Sequence, residues 1–182
     1  MARNSFPNKL DFTRVQNLTS AASSQVFPLP MGPQTYGVLI TALGNIWATF
    51  SSGSAAAVAS ASQTVAIPGV FTTAVQAFVA GQAVFLTGIA PGGFALNTVY
   101  YVIATGLTTT TVELSATVGG TGIQCTASAV CALNPLPAAT ATNGVLIKST
   151  DFAQEYGISP GQYISILENG SAGAVNVVEI TH

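Results

Sequence analysis

Apolar and polar positions alternate along most of the chain in short runs cut by Gly, Pro and Asn, the pattern of half-buried strands joined by tight turns. It is clearest over residues 64–132, where β-branched and aromatic residues interleave with small polar ones. Strands are predicted there at 64–67, 83–88, 98–105, 111–115 and 123–128. Pro91-Gly92-Gly93 predicts a turn, because Pro presets φ at one corner and Gly supplies a positive φ at the next. Gly119-Gly120-Thr121-Gly122 forces a second reversal. It lacks the GxGxxG or GK[ST] spacing of a phosphate loop, and no helical pattern follows it.

After the break at Pro135-Leu136-Pro137, residues 144–148, 162–167 and 174–180 read as strands. Ser159-Pro160-Gly161 reads as a turn and residues 168–173, with Asn169-Gly170, as a hairpin loop. Asn169-Gly170-Ser171 also matches a glycosylation sequon, but the turn is the better reason for it. Residues 38–50 fit two strands around Gly44-Asn45, with a short helix as the alternative. Residues 151–157 fit one helical turn, with Asp151 as N-cap and Gly157 as stop. The small-residue stretch 51–62 is a linker, a loop or a tightly packed strand. One echo is visible, a turn followed by Gly-Gln and a strand at both 80–86 and 160–166; it reads as shared local chemistry more than duplication.

The first 37 residues differ. They hold three of the four basic residues (Arg3, Lys9, Arg14) and four of the nine prolines (Pro7, Pro28, Pro30, Pro33). An extended N-terminal arm is predicted over 1–37. Its Phe6, Leu10, Phe12, Val26, Phe27 and Leu29 would be exposed on a loose arm, so docking is expected, a neighbouring subunit being one candidate surface. The expected fold is mainly β, an antiparallel β-sandwich or barrel with that arm. The β domain would span 38–182, with a β meander at 64–132 and C-terminal strands at 138–182.

Composition narrows the chemistry. The 182 residues include four Lys+Arg, six Asp+Glu and one His. Charged residues make up 5%, against roughly 25% in ordinary soluble domains. No Asp, Glu, Lys or Arg occurs from Val15 to Val112, so no field is available to steer a charged ligand and nucleic-acid binding is not expected. Acid–base and metal catalysis draw on residues that are nearly missing here, so no enzyme activity and no cofactor are expected. The apolar runs are too interrupted for a span of about 20 residues, and the N-terminus lacks the apolar segment of a signal peptide, so neither membrane insertion nor secretion is expected.

Individual residues admit sharper readings. Tyr100-Tyr101 suits sugar stacking, but consecutive strand residues face opposite ways, which favours one core and one rim position. Trp47 is expected in packing rather than ligand stacking. Cys125 and Cys131 have a spacing compatible with a hairpin disulfide, yet two small buried apolar residues is preferred, and a metal site lacks two ligands. Glu113 would pair with a partner subunit or lie on a solvated strand face, the latter preferred. So few charges would also leave apolar patches and strand edges exposed on a lone domain, which argues for oligomerisation.

Residues 79–126 resemble a module that recurs in tailed-phage virion proteins. The matching residues are 81–88 (GQAVFLTG), 91–94 (PGGF), 97–103 (NTVYYVI) and 113–121 (ELSATVGGT). The module is met in tail, fibre and head-decoration proteins and covers under a third of the chain. Together with the low charge and the arm, the resemblance implies a capsid decoration (cement) protein that binds the major capsid protein lattice and stabilises the head. It also implies a homotrimer, made in the host cytoplasm and placed on the virion surface. Arg3, Phe6, Lys9, Phe12 and Arg14 of the arm would contact the major capsid protein. The alternatives are a tail, neck or fibre component, or a carbohydrate-binding receptor module.

Overall fold

The structure, a computed structural model, describes residues 9–52 and 58–181. These form fourteen strands: β1 (Lys9–Thr19), β2 (Gln25–Val26), β3 (Thr35–Ala42), β4 (Ile46–Ser51), β5 (Val58–Gln63), β6 (Val70–Thr73), β7 (Ala83–Gly88), β8 (Val99–Val102), β9 (Thr111–Ser115), β10 (Cys131–Pro135), β11 (Val145–Ile147), β12 (Gln154–Gly157), β13 (Tyr163–Glu168) and β14 (Ala174–Thr181). The fold is mainly β, as expected, and no helix occurs among the described residues.

The chain divides into two compact units. One combines Met1–Phe50 with Ala139–His182, and the other is Ser51–Ala138. The first is a sandwich of two four-stranded sheets, ordered β1-β14-β3-β12 and β11-β4-β13-β2. Period-2 patterning aims Val38, Ile40 and Ala42 of β3 and Val175 and Val177 of β14 inward. They share one core with Ile46 and Ala48 of β4, Ile147 of β11, and Ile164 and Ile166 of β13. Each Val or Ile side chain among them, buried, stabilises the sandwich by about 1.5–3 kcal/mol.

The second unit is a closed antiparallel barrel in the order β10-β5-β6-β9-β8-β7. β10 pairs with both β7 and β5, so no strand of this sheet is an edge. Its interior holds Phe71, Val84, Leu86, Tyr100, Val102, Val112, Leu114 and Leu133. Phe94 stands edge-on to Phe71 at 5.0 Å and to Tyr100 at 5.3 Å, the arrangement that ring quadrupoles favour.

The echo at 80–86 and 160–166 has a physical basis. Gly81 and Gly161 hold φ of 81° and 78°, left-handed values that glycine adopts without strain. The next residue turns back on the chain in both places. Gln82 N donates to Val79 O at 3.1 Å, and Gln162 N donates to Ser159 O at 3.2 Å. Each Gln side-chain oxygen then accepts from the backbone N–H of that same residue, Val79 (3.1 Å) or Ser159 (2.8 Å). One turn device thus launches β7 in the barrel and β13 in the sandwich.

Several expectations are corrected. Residues 64–67 form a turn closed by Thr64, whose N donates to Val70 O at 3.0 Å and whose hydroxyl accepts from Val70 N at 2.9 Å. Residues 123–128 build no strand, because their N–H groups go to different neighbours: Ile123 to Leu114, Cys125 to Ala66, Thr126 to Gly92. Residues 151–157 are not helical. Asp151 Oδ2 accepts from Lys148 N at 3.1 Å within a turn, and β12 extends along β3. Residues 168–173 do not close a hairpin, since β13 and β14 belong to opposite sheets. They form a crossing that packs on the β3–β4 crossing: Asn169 N donates to Asn45 O at 2.8 Å, and a Cβ on Gly44 would lie 2.7 Å from Ser171 O. The single domain expected over 38–182 is instead a barrel placed between two parts of a sandwich.

Candidate functional site

The N-terminal strand carries most of the residues singled out for partner contact. Among the described residues β1 is an edge strand, paired only with β14. Lys9, Leu10 and Asp11 pair with Thr181, Ile180 and Glu179, and the ladder resumes at Val15 opposite Val178. The residues between bulge out, the usual way of twisting an edge away from further pairing. Asp11 Oδ1 holds the bulge by accepting from Thr13 Oγ1 (2.6 Å) and Thr13 N (3.0 Å). These bonds, the hydroxyl first, hold the Asp11 carboxyl below its ordinary pKa.

The bulge separates two roles. Phe12 is 72% exposed. Arg14 turns into its own chain: its Nε donates to Glu179 Oε1 at 2.8 Å and a terminal nitrogen to Pro30 O at 3.2 Å. Glu179, wholly buried, receives Gly32 N on Oε2 at 2.8 Å and the Thr35 hydroxyl on the same oxygen. Gln16 adds a second clamp, its amide donating to Leu29 O and accepting from Leu29 N, both at 3.1 Å. The proline-rich stretch is thereby tied to β1 and β14, with Phe27 and Met31 in the sandwich core. From Lys9 onward the predicted arm is thus part of the sandwich and docks on its own chain. Arg3 and Phe6 lie outside the described residues, and Lys9 opens β1. Arg14, expected at the partner surface, is committed to Glu179; Phe12 remains open, with Leu10 (40%) and Val15 (39%) partly exposed on the same strand.

In the barrel, Tyr100 and Tyr101 are both buried, so the rim position expected for one of them is corrected. Tyr100 Oη accepts from Ala95 N at 2.7 Å. Glu113 is also buried and not on a solvated face. It points away from the interior side of β9, against the Gly106 backbone, and its Oε2 finds no hydrogen-bond partner among the described residues. Trp47 is half-buried on β4, opposite Leu146.

Cys125 and Cys131 are both free and buried, in the same core cluster. Burial, then the neighbouring Cys125, pushes the Cys131 thiol up to about 11. A thiol held in its neutral form is a poor nucleophile. Both thiols are expected to resist a disulfide-exchange reagent at neutral pH in the folded chain and to react once denaturant opens the barrel. Fast labelling of the folded chain would count against this burial. The sign of the pH effect follows from the raised value. The neutral thiol favours folding below the ordinary pKa of 9.0, and that contribution is lost as pH climbs from there through about 11. Stability is expected to fall over that alkaline window, less steeply in Cys131→Ala.

No group of three or more His, Cys, Asp or Glu is placed to hold a metal among the described residues. No protein-family model, curated protein or solved structure matches the chain.

Proposed function

We propose that the chain is a non-enzymatic structural protein of a tailed-phage virion, a capsid decoration protein that binds the major capsid protein lattice and stabilises the head. The observation that carries this reading is the N-terminal edge strand. A rigid ladder displays Phe12 on a bulge, anchored by the Arg14–Glu179 pair immediately behind it. Such a projection offers a large apolar anchor whose backbone is ordered before binding, which limits the entropy lost on association. The module resemblance at 79–126 supports the virion setting. Arg3, Phe6, Lys9 and Phe12 would contact the shell, while Arg14 holds the strand that carries Lys9 and Phe12. Many weak contacts available only on the assembled shell would raise its resistance to opening by mass action.

The test is cryo-electron microscopy of the assembled particle with the chain labelled. Density at capsomer junctions on the outer shell is expected; density at the tail or portal vertex would replace the decoration reading by a tail or neck role. In shell-binding assays, Phe12→Ser is expected to weaken binding by about tenfold, the scale of removing one interface anchor. Unchanged binding would remove Phe12 from the contact.

A further inference from the structure

We propose that Asn169 is a site of spontaneous modification: the backbone nitrogen of Gly170 attacks its side-chain amide, and the cyclic imide that results opens to aspartate and isoaspartate. The step balances without an oxidant, a reductant or a cofactor. The bond from Gly170 N to Asn169 Cγ forms as the bond from Cγ to Nδ2 breaks, and ammonia leaves with the Gly170 amide proton. Water then opens the imide at either carbonyl. One opening restores the main chain as aspartate, and the other routes it through Cβ and Cγ as isoaspartate. The attack is intramolecular, so its rate is set by how freely the two groups reach the attacking geometry.

The chain contains this dipeptide twice, as Asn143-Gly144 and Asn169-Gly170. Glycine suits the second position because it has no Cβ to hinder the approach. The fold treats the two sites differently. Asn169 and Gly170 are both exposed. Gly170 holds a φ of 103°, and a Cβ built on it would meet nothing within 4 Å. Among the described residues, neither the Asn169 side-chain amide nor the Gly170 N–H is engaged in a hydrogen bond. At the other site both groups are held. Asn143 Oδ1 accepts from Thr140 N and Thr140 Oγ1, each at 2.8 Å, and from Thr49 Oγ1 at 3.1 Å. Gly144 N donates to Thr140 O at 2.9 Å, and a Cβ there would lie 3.0 Å from Trp47 Cβ. Attack at Asn143 must wait for several of these bonds to open together.

The consequence falls on the sandwich. The 168–173 crossing is tied down at both ends. Glu168 N donates to Ala21 O (3.0 Å) and Asn169 N to Asn45 O (2.8 Å), while Ser20 N donates to Gly173 O (2.9 Å) and Gly173 N to Ser20 Oγ (3.0 Å). Between these ties the crossing packs on Gly44, where a Cβ would lie 2.7 Å from Ser171 O. Isoaspartate inserts an extra carbon into the main chain within this span. A segment fixed at both ends and close-packed between them has no slack to take it up. Aspartate leaves the main chain unchanged and adds only an exposed charge. Ser20 directly follows β1, so the disturbance reaches the N-terminal strand. The inference does not rest on shell binding, because it concerns the isolated chain.

Ageing the full chain in mildly alkaline buffer tests this, with tryptic peptides followed by mass spectrometry. Cleavage after Lys148 separates the two dipeptides. In the folded chain Asn169 is expected to show the mass shift of an amide turned to acid at least about tenfold faster than Asn143, where more than one hydrogen bond must open first. In denaturant the two rates are expected to converge, because only the fold tells the sites apart. An isoaspartyl methyltransferase is expected to label aged wild type far more than aged Asn169→Gln, whose longer side chain cyclises poorly. By tryptophan fluorescence, aged wild type is expected to unfold at lower denaturant than the fresh chain. Asn169→Asp, which carries the charge without the extra carbon, is expected to keep the fresh midpoint. Equal rates at the two sites in the folded chain overturn the proposal. So does a folded Asn169 that stays intact while the denatured chain converts. An aged chain that keeps the fresh midpoint, or an Asn169→Asp that loses it, overturns the consequence drawn for the sandwich.

Discussion

Replacing Phe71 by alanine is expected to destabilise the barrel by about 3–5 kcal/mol, the range for removing a large aromatic from a closed core. Phe71 is wholly buried and central to the ring cluster, 5.0 Å from Phe94. Its loss opens a cavity that a hydrogen-bonded ring of strands cannot collapse to fill, and it also removes an edge-to-face partner. That is a large share of what one small domain has to spare. The two units have separate cores, so the damage is expected to stay in the barrel. The chain contains a single tryptophan. Trp47 lies on β4 of the sandwich, whereas Tyr100 and Tyr101 lie on β8 of the barrel. In denaturant, Phe71→Ala is expected to move the loss of far-UV signal to lower concentration while the tryptophan fluorescence midpoint holds. If both midpoints shift together, the units unfold as one and their separation by contacts has no thermodynamic counterpart.

Replacing Arg14 by methionine is the second large effect, expected at about 2–3 kcal/mol against the sandwich. Removing one partner of a buried pair commonly costs about 3–5 kcal/mol because a charge is left buried and uncompensated. The lower figure reflects the guanidinium, whose side chain is 39% exposed against 1% for Glu179. The Gly32 N–H and Thr35 hydroxyl remain on the carboxylate and soften the loss. The double variant Arg14→Met with Glu179→Gln removes both charges at nearly constant volume. It is expected to lie closer to wild type than Arg14→Met alone, and the difference measures the pair. Tryptophan fluorescence is again the probe. A double variant as unstable as the sum of its singles would show that the two side chains act separately.

The parts of the fold written in adjacent residues were legible, and those written across the chain were not. β7 and β9 fall where their alternation places them, and β3 and β4 flank Gly44-Asn45 as predicted. Pro91 also closes its turn, accepting from Phe94 N at 3.0 Å. Residues 1–37 read as an arm because the prolines on either side of β1 and the basic residues within and before it hide the pairing. The partner of β1, β14, lies at the other terminus, and Arg14 meets Glu179 across 165 positions. Asp151 and Gly157 carry helix-end signals, yet Val38 and Leu39 of β3 supply a ladder that overrides them. Phe12 stays exposed although the strand that carries it is docked, where docking was expected to bury the apolar groups of residues 1–37. The inward turn of Arg14 was not foreseen, since no local pattern marks a bulge whose cause is a carboxylate at position 179.

The pairing of β4 with β11 sets Ala48 opposite Val145, and inside the barrel β5 and β10 set Val58 opposite Leu133. The host therefore offers two neighbouring attachment points, and the guest presents two neighbouring ends. An insert whose own ends are neighbours, carried at neighbouring positions of its host, can be gained, lost or replaced in one recombination step without re-registering a strand of the host. Variation among relatives of this chain is then expected to come in whole modules between residues 52 and 138, while the clamp that secures the N-terminal strand travels unchanged.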